Sequence, residues 1–127
     1  VGGDELLENN NHHILLKTEK QLVEYFTGKR KKFDIKLEMC GTVFQINTWR
    51  ELQKIPYGKT ISYGQQAARI GYVKKARAVG AANSRNPLLI IVPCHRVIGS
   101  SGVLTGFGGG LTMKQKLLDL EKSLEGF

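Results

Sequence analysis

Leu88-Leu89-Ile90-Ile91-Val92-Pro93-Cys94-His95-Arg96 is the stretch on which the reading of this chain turns. The apolar run ending in the β-branched Ile90, Ile91 and Val92 predicts a short buried strand. Pro93 has no N–H to give to a ladder, so the strand is expected to stop there. A thiol and an imidazole then stand side by side at the end of a rigid element. A cysteine beside a base or a cation can have its pKa lowered from about 8.5, and the thiolate is the reactive form. The alternative is a buried structural cysteine next to a surface histidine, because neighbours on a regular strand point to opposite faces. A turn just after the strand is what would let the two cooperate. Beyond it runs a loop with glycines at 99, 102, 106, 108, 109 and 110.

The 127 residues suit one domain, or one domain with a small appendage. Hydrophobic residues make up 41%, enough for a core. No run approaches the ~18 apolar residues of a membrane span, so no membrane partner is expected. No basic, apolar signal pattern opens the chain, so no export is expected. Cys40 and Cys94 are the only cysteines. They make no disulfide framework, and the expected setting is reducing: the cytoplasm, or the nucleus of a eukaryote.

The net charge of +8 is unevenly spread. Residues 1–51 carry eight basic and eight acidic side chains, whereas residues 52–118 contain no acid at all. That acid-free stretch holds Lys54, Lys59, Arg69, Lys74, Lys75, Arg77, Arg85, Arg96, Lys114 and Lys116. Such a region is the electrostatic footprint of a polyanion binder, and nucleic acid is the expected partner. The plainer reading is an ordinary basic protein kept soluble by its lysines.

Local signals divide the chain near residue 40, into a region 1–40 and a domain 41–127. Thr18-Glu19-Lys20-Gln21 fits a capping box ahead of a helix that Gly28 would end. Phe33-Asp34-Ile35-Lys36-Leu37 alternates like a strand. Thr42-Val43-Phe44-Gln45 is a second capping box, opening a helix to about Ile55 that Pro56-Tyr57-Gly58 terminates. Ser62 can cap a helix through Ile70, and Gly71 can end it. A further helix, about Lys74 to Asn83, follows a tight turn, and the pair suggests a helix-turn-helix. Ala76, Ala78, Gly80, Ala81 and Ala82 leave this second helix slim. Slimness fits tight packing on a core. It equally fits entry into a minor groove only ~6 Å wide, with Arg77 as the long probe. Thr112-Met113-Lys114-Gln115 reads as a third capping box, for a helix with Met113, Leu117, Leu118, Leu120 and Leu124 largely on one side. Glu121 sits on that apolar stripe. A carboxylate there must be paired or protonated, and His95 is the candidate partner.

Other motifs are weak. The glycine-rich loop lacks the Gly-Lys-Ser/Thr ending of a phosphate loop and the third glycine of a dinucleotide fingerprint. His12-His13 with two distant cysteines lacks zinc spacing. No metal and no cofactor are expected.

Ile61-Ser62-Tyr63-Gly64, Arg77-Ala78-Val79-Gly80, Asn86-Pro87, Ile91 to Val97 and Gly109-Gly110-Leu111 together resemble the O6-alkylguanine–DNA alkyltransferase family, in its order and at its spacing. The resemblance covers about residues 42–124. It implies an α/β protein: a reduced or incomplete N-terminal α/β region, then a mainly helical domain with a winged-helix-like helix-turn-helix. It implies that Cys94 accepts the alkyl group, that His95 takes the thiol proton through a water, and that Glu121 holds His95. Asn86 would brace the turn around the thiol. Tyr63 would donate to the departing guanine and help rotate the nucleotide out. Arg77 would fill the gap in the duplex, with Tyr63, Gly64 and Ser100 as further DNA contacts. Val97, Phe107, Gly108 and Gly109, within the Gly106–Gly110 loop, would line the base pocket. Phe107 stands where many relatives have Tyr, and Gly108 where some have Ser.

The expected function is therefore DNA repair by direct reversal. A monomer would bind double-stranded DNA containing O6-alkylguanine, flip the nucleotide and transfer the alkyl group irreversibly to Cys94. Two other classes remain open: a non-catalytic DNA-lesion binder, which the presence of Cys94 opposes, and a Cys-His hydrolase, which gives no reason for the acid-free region.

Overall fold

The computed structural model describes residues 2–102, 104, 107 and 109–125. Two compact units emerge, Val1–Glu38 and Met39–Phe127.

In the first unit, α1 spans Gly2–Phe26. Thr18 does not start this helix. It lies inside it, and its hydroxyl bonds back to the Ile14 carbonyl at 2.7 Å, the habit of a mid-helix threonine. Gly28 follows the last turn with φ +78, as a left-handed stop should. Residues 33–39 keep the alternation of half-buried and exposed positions but form no strand. Instead Gln21 clasps the Asp34 backbone at both its N–H and its carbonyl, and Tyr25 packs on Phe33. The expected N-terminal α/β layer is thus, in the described residues, one helix followed by a segment without regular structure.

The second unit carries the only sheet among the described residues, and with it the mixed α/β character. Helix α2, Val43–Leu52, starts at a complete Thr42–Gln45 capping box. It stops at Leu52, three residues before the expected end, where Gln53 to Ile55 tighten into a turn. Strand β1 is Ile61–Ser62, and Ser62 also caps α3, Tyr63–Arg69, through a second complete box with Gln65. Gly71, at φ +86, supports the turn into α4, Ala76–Ser84. The three helices lock together in the core. Trp49 Nε1 donates to the Ala82 carbonyl at 2.8 Å, and the side-chain amides of Gln66 and Asn83 exchange two hydrogen bonds.

Leu88 to Val92 is not a strand. The run folds into tight turns, with Val92 N–H on the Leu88 carbonyl and Ile90 at φ 75. Its apolar side chains read as strand because a short apolar run carries no periodicity of its own. Pro93 then leads into a 3₁₀ turn, Cys94–Arg96, which passes directly into β2, Val97–Ile98. β2 pairs with β1 in parallel, Ile61 against Val97 and Ser62 against Ile98. This two-residue ladder positions the site: the residue after β1 is Tyr63, and the residues before β2 are Cys94, His95 and Arg96.

Helix α5 spans Leu111–Glu125. Thr112 lies within it rather than capping it, and the Gly110 carbonyl accepts the Lys114 N–H. Leu117 is buried while Met113 is 41% exposed, so the apolar stripe is narrower than expected. The Leu124 side chain, Gly106 and Gly108 lie outside the described residues. No described helix is long and apolar enough to cross a membrane.

Candidate active site

Cys94 is 5% exposed and sits at the first position of the 3₁₀ turn. Its N–H donates to the Val92 carbonyl at 2.9 Å. Asn86 secures the approach: its amide donates to the same Val92 carbonyl at 2.7 Å, and its oxygen accepts the Leu88 N–H at 2.9 Å. A 3₁₀ turn advances side chains by a third of a revolution per residue rather than half. Cys94 and His95 therefore escape the opposite-face geometry of a strand.

His95 and Glu121 are buried together, with Nε2 2.6 Å from Oε2. Arg96 grips the same carboxylate in a fork, Nε to Oε1 at 2.8 Å and Nη2 to Oε2 at 3.0 Å. Its remaining arm donates to the Ile55 carbonyl, and the Gly58 N–H donates to Oε1. Four donors thus meet the two carboxylate oxygens. A guanidinium does not give up its proton, so Glu121 is held as an anion. His95 must then present Nε2–H to it, which leaves Nδ1 as the ring's lone pair. Nδ1 is buried and finds no hydrogen-bond partner among the described residues. That is the atom able to take up a proton. Phe107 stands edge-on to the imidazole, ring centres 6.5 Å apart.

Two titrations frame the site. Burial pushes the Cys94 thiol above its ordinary range, opposed by a hydrogen bond from Asn86 and by the Lys114 charge. Adjacency to His95 alone does not make a resting thiolate. Burial also pushes His95 below its ordinary value, against the pull of Glu121. His95 is therefore neutral near pH 7 and available as a base. An unfolded chain protonates its histidine at about 6.5, before the folded chain does, so stability must fall as pH drops below that value. Melting curves from about pH 7.5 to 5 should show this fall, and His95→Gln should flatten part of it. An unchanged slope in the variant would contradict a neutral buried His95.

The other expected residues are placed as follows. Tyr63 opens α3, and its ring lies near Gly80 of α4, where a Cβ would approach to 3.6 Å. Gly80 and Ala82 thus serve packing, whereas Ala78 and Ala81 are exposed. Arg77 is exposed on α4, Gly64 is exposed on α3, and Val97 is fully buried behind the thiol turn. Ser100 is exposed and lines a hollow of about 250 Å³ with Ser62 and Gln65. A second hollow, about 360 Å³, borders Gly58, Leu118 and Glu121. Cys94 lines neither. Gly109 is exposed beside Phe107, and Gly108 is outside the described residues. Of the ten acid-free cations, eight are exposed, but Arg96 and Lys114 are buried in the site. Lys114 was read from sequence only as surface charge. Its spacing of three from Leu117 and seven from Glu121 puts it on the buried face, and that spacing is the signal that could have found it.

Fold and site together define a cysteine backed by a carboxylate-held histidine, carried on a basic helical unit. The chain belongs to the 6-O-methylguanine DNA methyltransferase family: residues 43–123 match the model of that family's DNA-binding domain. A methylated-DNA–protein-cysteine methyltransferase of Mycobacterium leprae is 59% identical over 102 residues, 80% of this chain and 62% of that protein. One from Methanosarcina acetivorans is 52% identical over 113 residues, 89% of this chain and 72% of that protein. The crystal structure of Mycobacterium tuberculosis OGT in complex with DNA superposes with a TM-score of 0.84 at 55% identity, covering 85% of this chain and 67% of that one. The chain spans 62% of the length of the mycobacterial methyltransferases it matches.

Proposed function

We propose that this chain repairs DNA by direct reversal, moving an alkyl group from O6 of guanine to Cys94 in a single irreversible transfer. The observation that carries the reading is the Cys94–His95–Glu121 array, and family membership supports it. An alkyl group on a stacked base is out of reach of a buried thiol, so the nucleotide must be extruded. Cys94 sulfur then bonds the alkyl carbon as the carbon–O6 bond breaks, and the electron pair passes into the guanine. The thiol proton leaves through a bridging water to Nδ1 of His95. Tyr63 meets the charge on the departing guanine with its O–H, the place where a donor lowers the barrier most. The product is a thioether. Among the described residues the site offers no group to cleave it, so each molecule acts once.

In this reading α3 and α4 form the helix-turn-helix, with β1 and β2 in the position of a small wing. Arg77, exposed on the slim α4, enters the minor groove and fills the gap left by the flipped nucleotide. Gly64 and Ser100 contact the DNA backbone; Val97, Phe107 and Gly109 enclose the base; Asn86 steadies the thiol turn. The exposed cations make binding weaken steeply with salt. The acting species is a monomer.

Increasing amounts of protein, mixed with duplex DNA bearing O6-methylguanine, should restore guanine one for one and then stop. No restoration refutes the reading, and restoration beyond one per molecule refutes single transfer. Arg77→Ala should slow transfer from duplex DNA by roughly tenfold to a hundredfold while barely changing reaction with free O6-substituted guanine, because a lost wedge costs on the order of 1–3 kcal/mol only where a base must flip. Equal slowing of both substrates would mean that Arg77 holds the fold instead.

A further inference from the structure

Tyr63 opens α3, and Arg77 lies in the first turn of α4. To act on one nucleotide, the two side chains must keep a fixed spacing, so the crossing of their helices must be fixed too. Two contacts lie between the facing turns, three residues apart on both helices. At the outer one the Tyr63 ring lies against Gly80, where an added Cβ would come within 3.6 Å of it. At the inner one Gln66 meets Asn83. The Gln66 amide donates to Asn83 Oδ1 at 3.0 Å and accepts from Asn83 Nδ2 at 2.7 Å. Its nitrogen also donates to the Thr48 carbonyl of α2 at 3.3 Å. Both side chains are buried.

Packing alone does not require this pair. Two buried amides give up water, and two leucines would fill the space without that cost. What the amides add is direction. A hydrogen bond weakens steeply with misalignment, so sliding α4 along α3 breaks both arms of the exchange together. Apolar side chains slide and repack, and they lose a unique arrangement before they lose stability. The end of α4 also leads to the thiol. The Asn83 carbonyl accepts the Asn86 N–H at 3.1 Å, and Asn86 holds the Val92 carbonyl to which the Cys94 N–H also donates.

We propose that the Gln66–Asn83 amide clasp is a positioning device, fixing the crossing of α3 and α4 so that Tyr63, Arg77 and Cys94 reach one nucleotide together. The inference deepens the alkyl-transfer reading and rests on it for the reaction. Gln66 and Asn83 act through the helices they join. Helix α2 is their common support, since Trp49 donates to the Ala82 carbonyl beside Asn83 while Thr48 receives Gln66.

The test uses Gln66→Leu/Asn83→Leu, which keeps the bulk and removes both amides, beside each single variant. Rates of alkyl transfer are measured from duplex DNA bearing O6-methylguanine and from free O6-substituted guanine, with melting curves on every variant. Either single change buries an amide without its partner and should lower the melting temperature, and the double variant should regain it. In the folded double variant the ratio of duplex to free-base rate should fall by roughly tenfold, because a misplacement of about 1 Å can cost that much where groups must converge, and only the duplex reaction needs Tyr63 and Arg77 together. A folded double variant with an unchanged ratio overturns the proposal, since a purely structural clasp changes stability alone. Should the double variant not fold, Gln66→Asn takes its place. It keeps the amide but draws it back by one methylene, the ratio should fall likewise, and an unchanged ratio again overturns the proposal. If the unmodified protein takes no alkyl group from DNA, the alkyl-transfer reading fails by itself, and affinity for undamaged duplex decides the clasp: several-fold weaker binding by the double variant supports it, and equal binding overturns it.

Discussion

Glu121→Leu should cost about 3–5 kcal/mol of unfolding free energy, because it strands the buried Arg96 guanidinium and the His95 N–H that share its carboxylate. For a domain whose whole stability is about 5–15 kcal/mol, that is a large fraction, and urea denaturation would register it as a lowered midpoint. Arg96→Met should cost about as much, since it leaves the carboxylate charged and half-satisfied. The double variant should recover much of the loss, because removing both charges removes the cost of burying either. Alkyl transfer should not recover with it. Without Glu121 nothing fixes the Nε2–H tautomer of His95, and Nδ1 is no longer kept as the acceptor. A double variant that regains both stability and transfer would show that the His95–Glu121–Arg96 cluster is scaffold only.

Cys94→Ser should lower transfer by more than roughly three orders of magnitude, since a serine hydroxyl is a weak nucleophile unless a base fully activates it. The fold should tolerate the change, because Ser is close to Cys in size and Asn86 remains to bond it. Affinity for DNA should stay near that of the unmodified protein, because in the proposed reading exposed cations rather than the thiol supply the attraction. Transfer by the variant at more than a small residue of the original rate would move the nucleophile elsewhere, with exposed Cys40 as the first suspect.

Much of the helical unit was legible because its signals are local. Thr42 and Ser62 each precede a Gln three residues on, and both boxes form as the side-chain chemistry dictates. Gly71 ends α3 because the turn needs a positive φ. The failures arise where local chemistry had a competitor. Thr18 and Thr112 have the composition of caps, but the helices run through them. Helix α1 continues upstream of Thr18, and α5 already starts at Leu111, with the Gly110 carbonyl accepting the Lys114 N–H, so Thr112 lies inside it. Residues 33–37 alternate correctly and still form no strand, since a ladder needs a second chain segment that the pattern cannot supply. Leu88 to Val92 misleads differently, since a short apolar run carries no periodicity and here closes into turns.

At the site, Cys94, His95 and Glu121 could be named from spacing and resemblance, and the fold brings His95 and Glu121 within hydrogen-bond distance. Counting charges misjudged Arg96 and Lys114. A count does not distinguish a cation on the surface from one folded inward, and both of these face the core. The direction of the Cys94 titration was likewise hidden: adjacency to His95 suggests a lowered value, whereas burial, visible only in three dimensions, raises it.

The central claim is that Cys94 itself becomes the final resting place of the alkyl group. Intact-mass spectrometry followed by peptide mapping, after incubation with excess duplex DNA containing O6-methylguanine, tests it directly. The expected result is one added methyl group per chain, on the peptide containing Cys94, with no further change over time. A protein of unaltered mass beside repaired DNA, or a methyl group on Cys40, would contradict it.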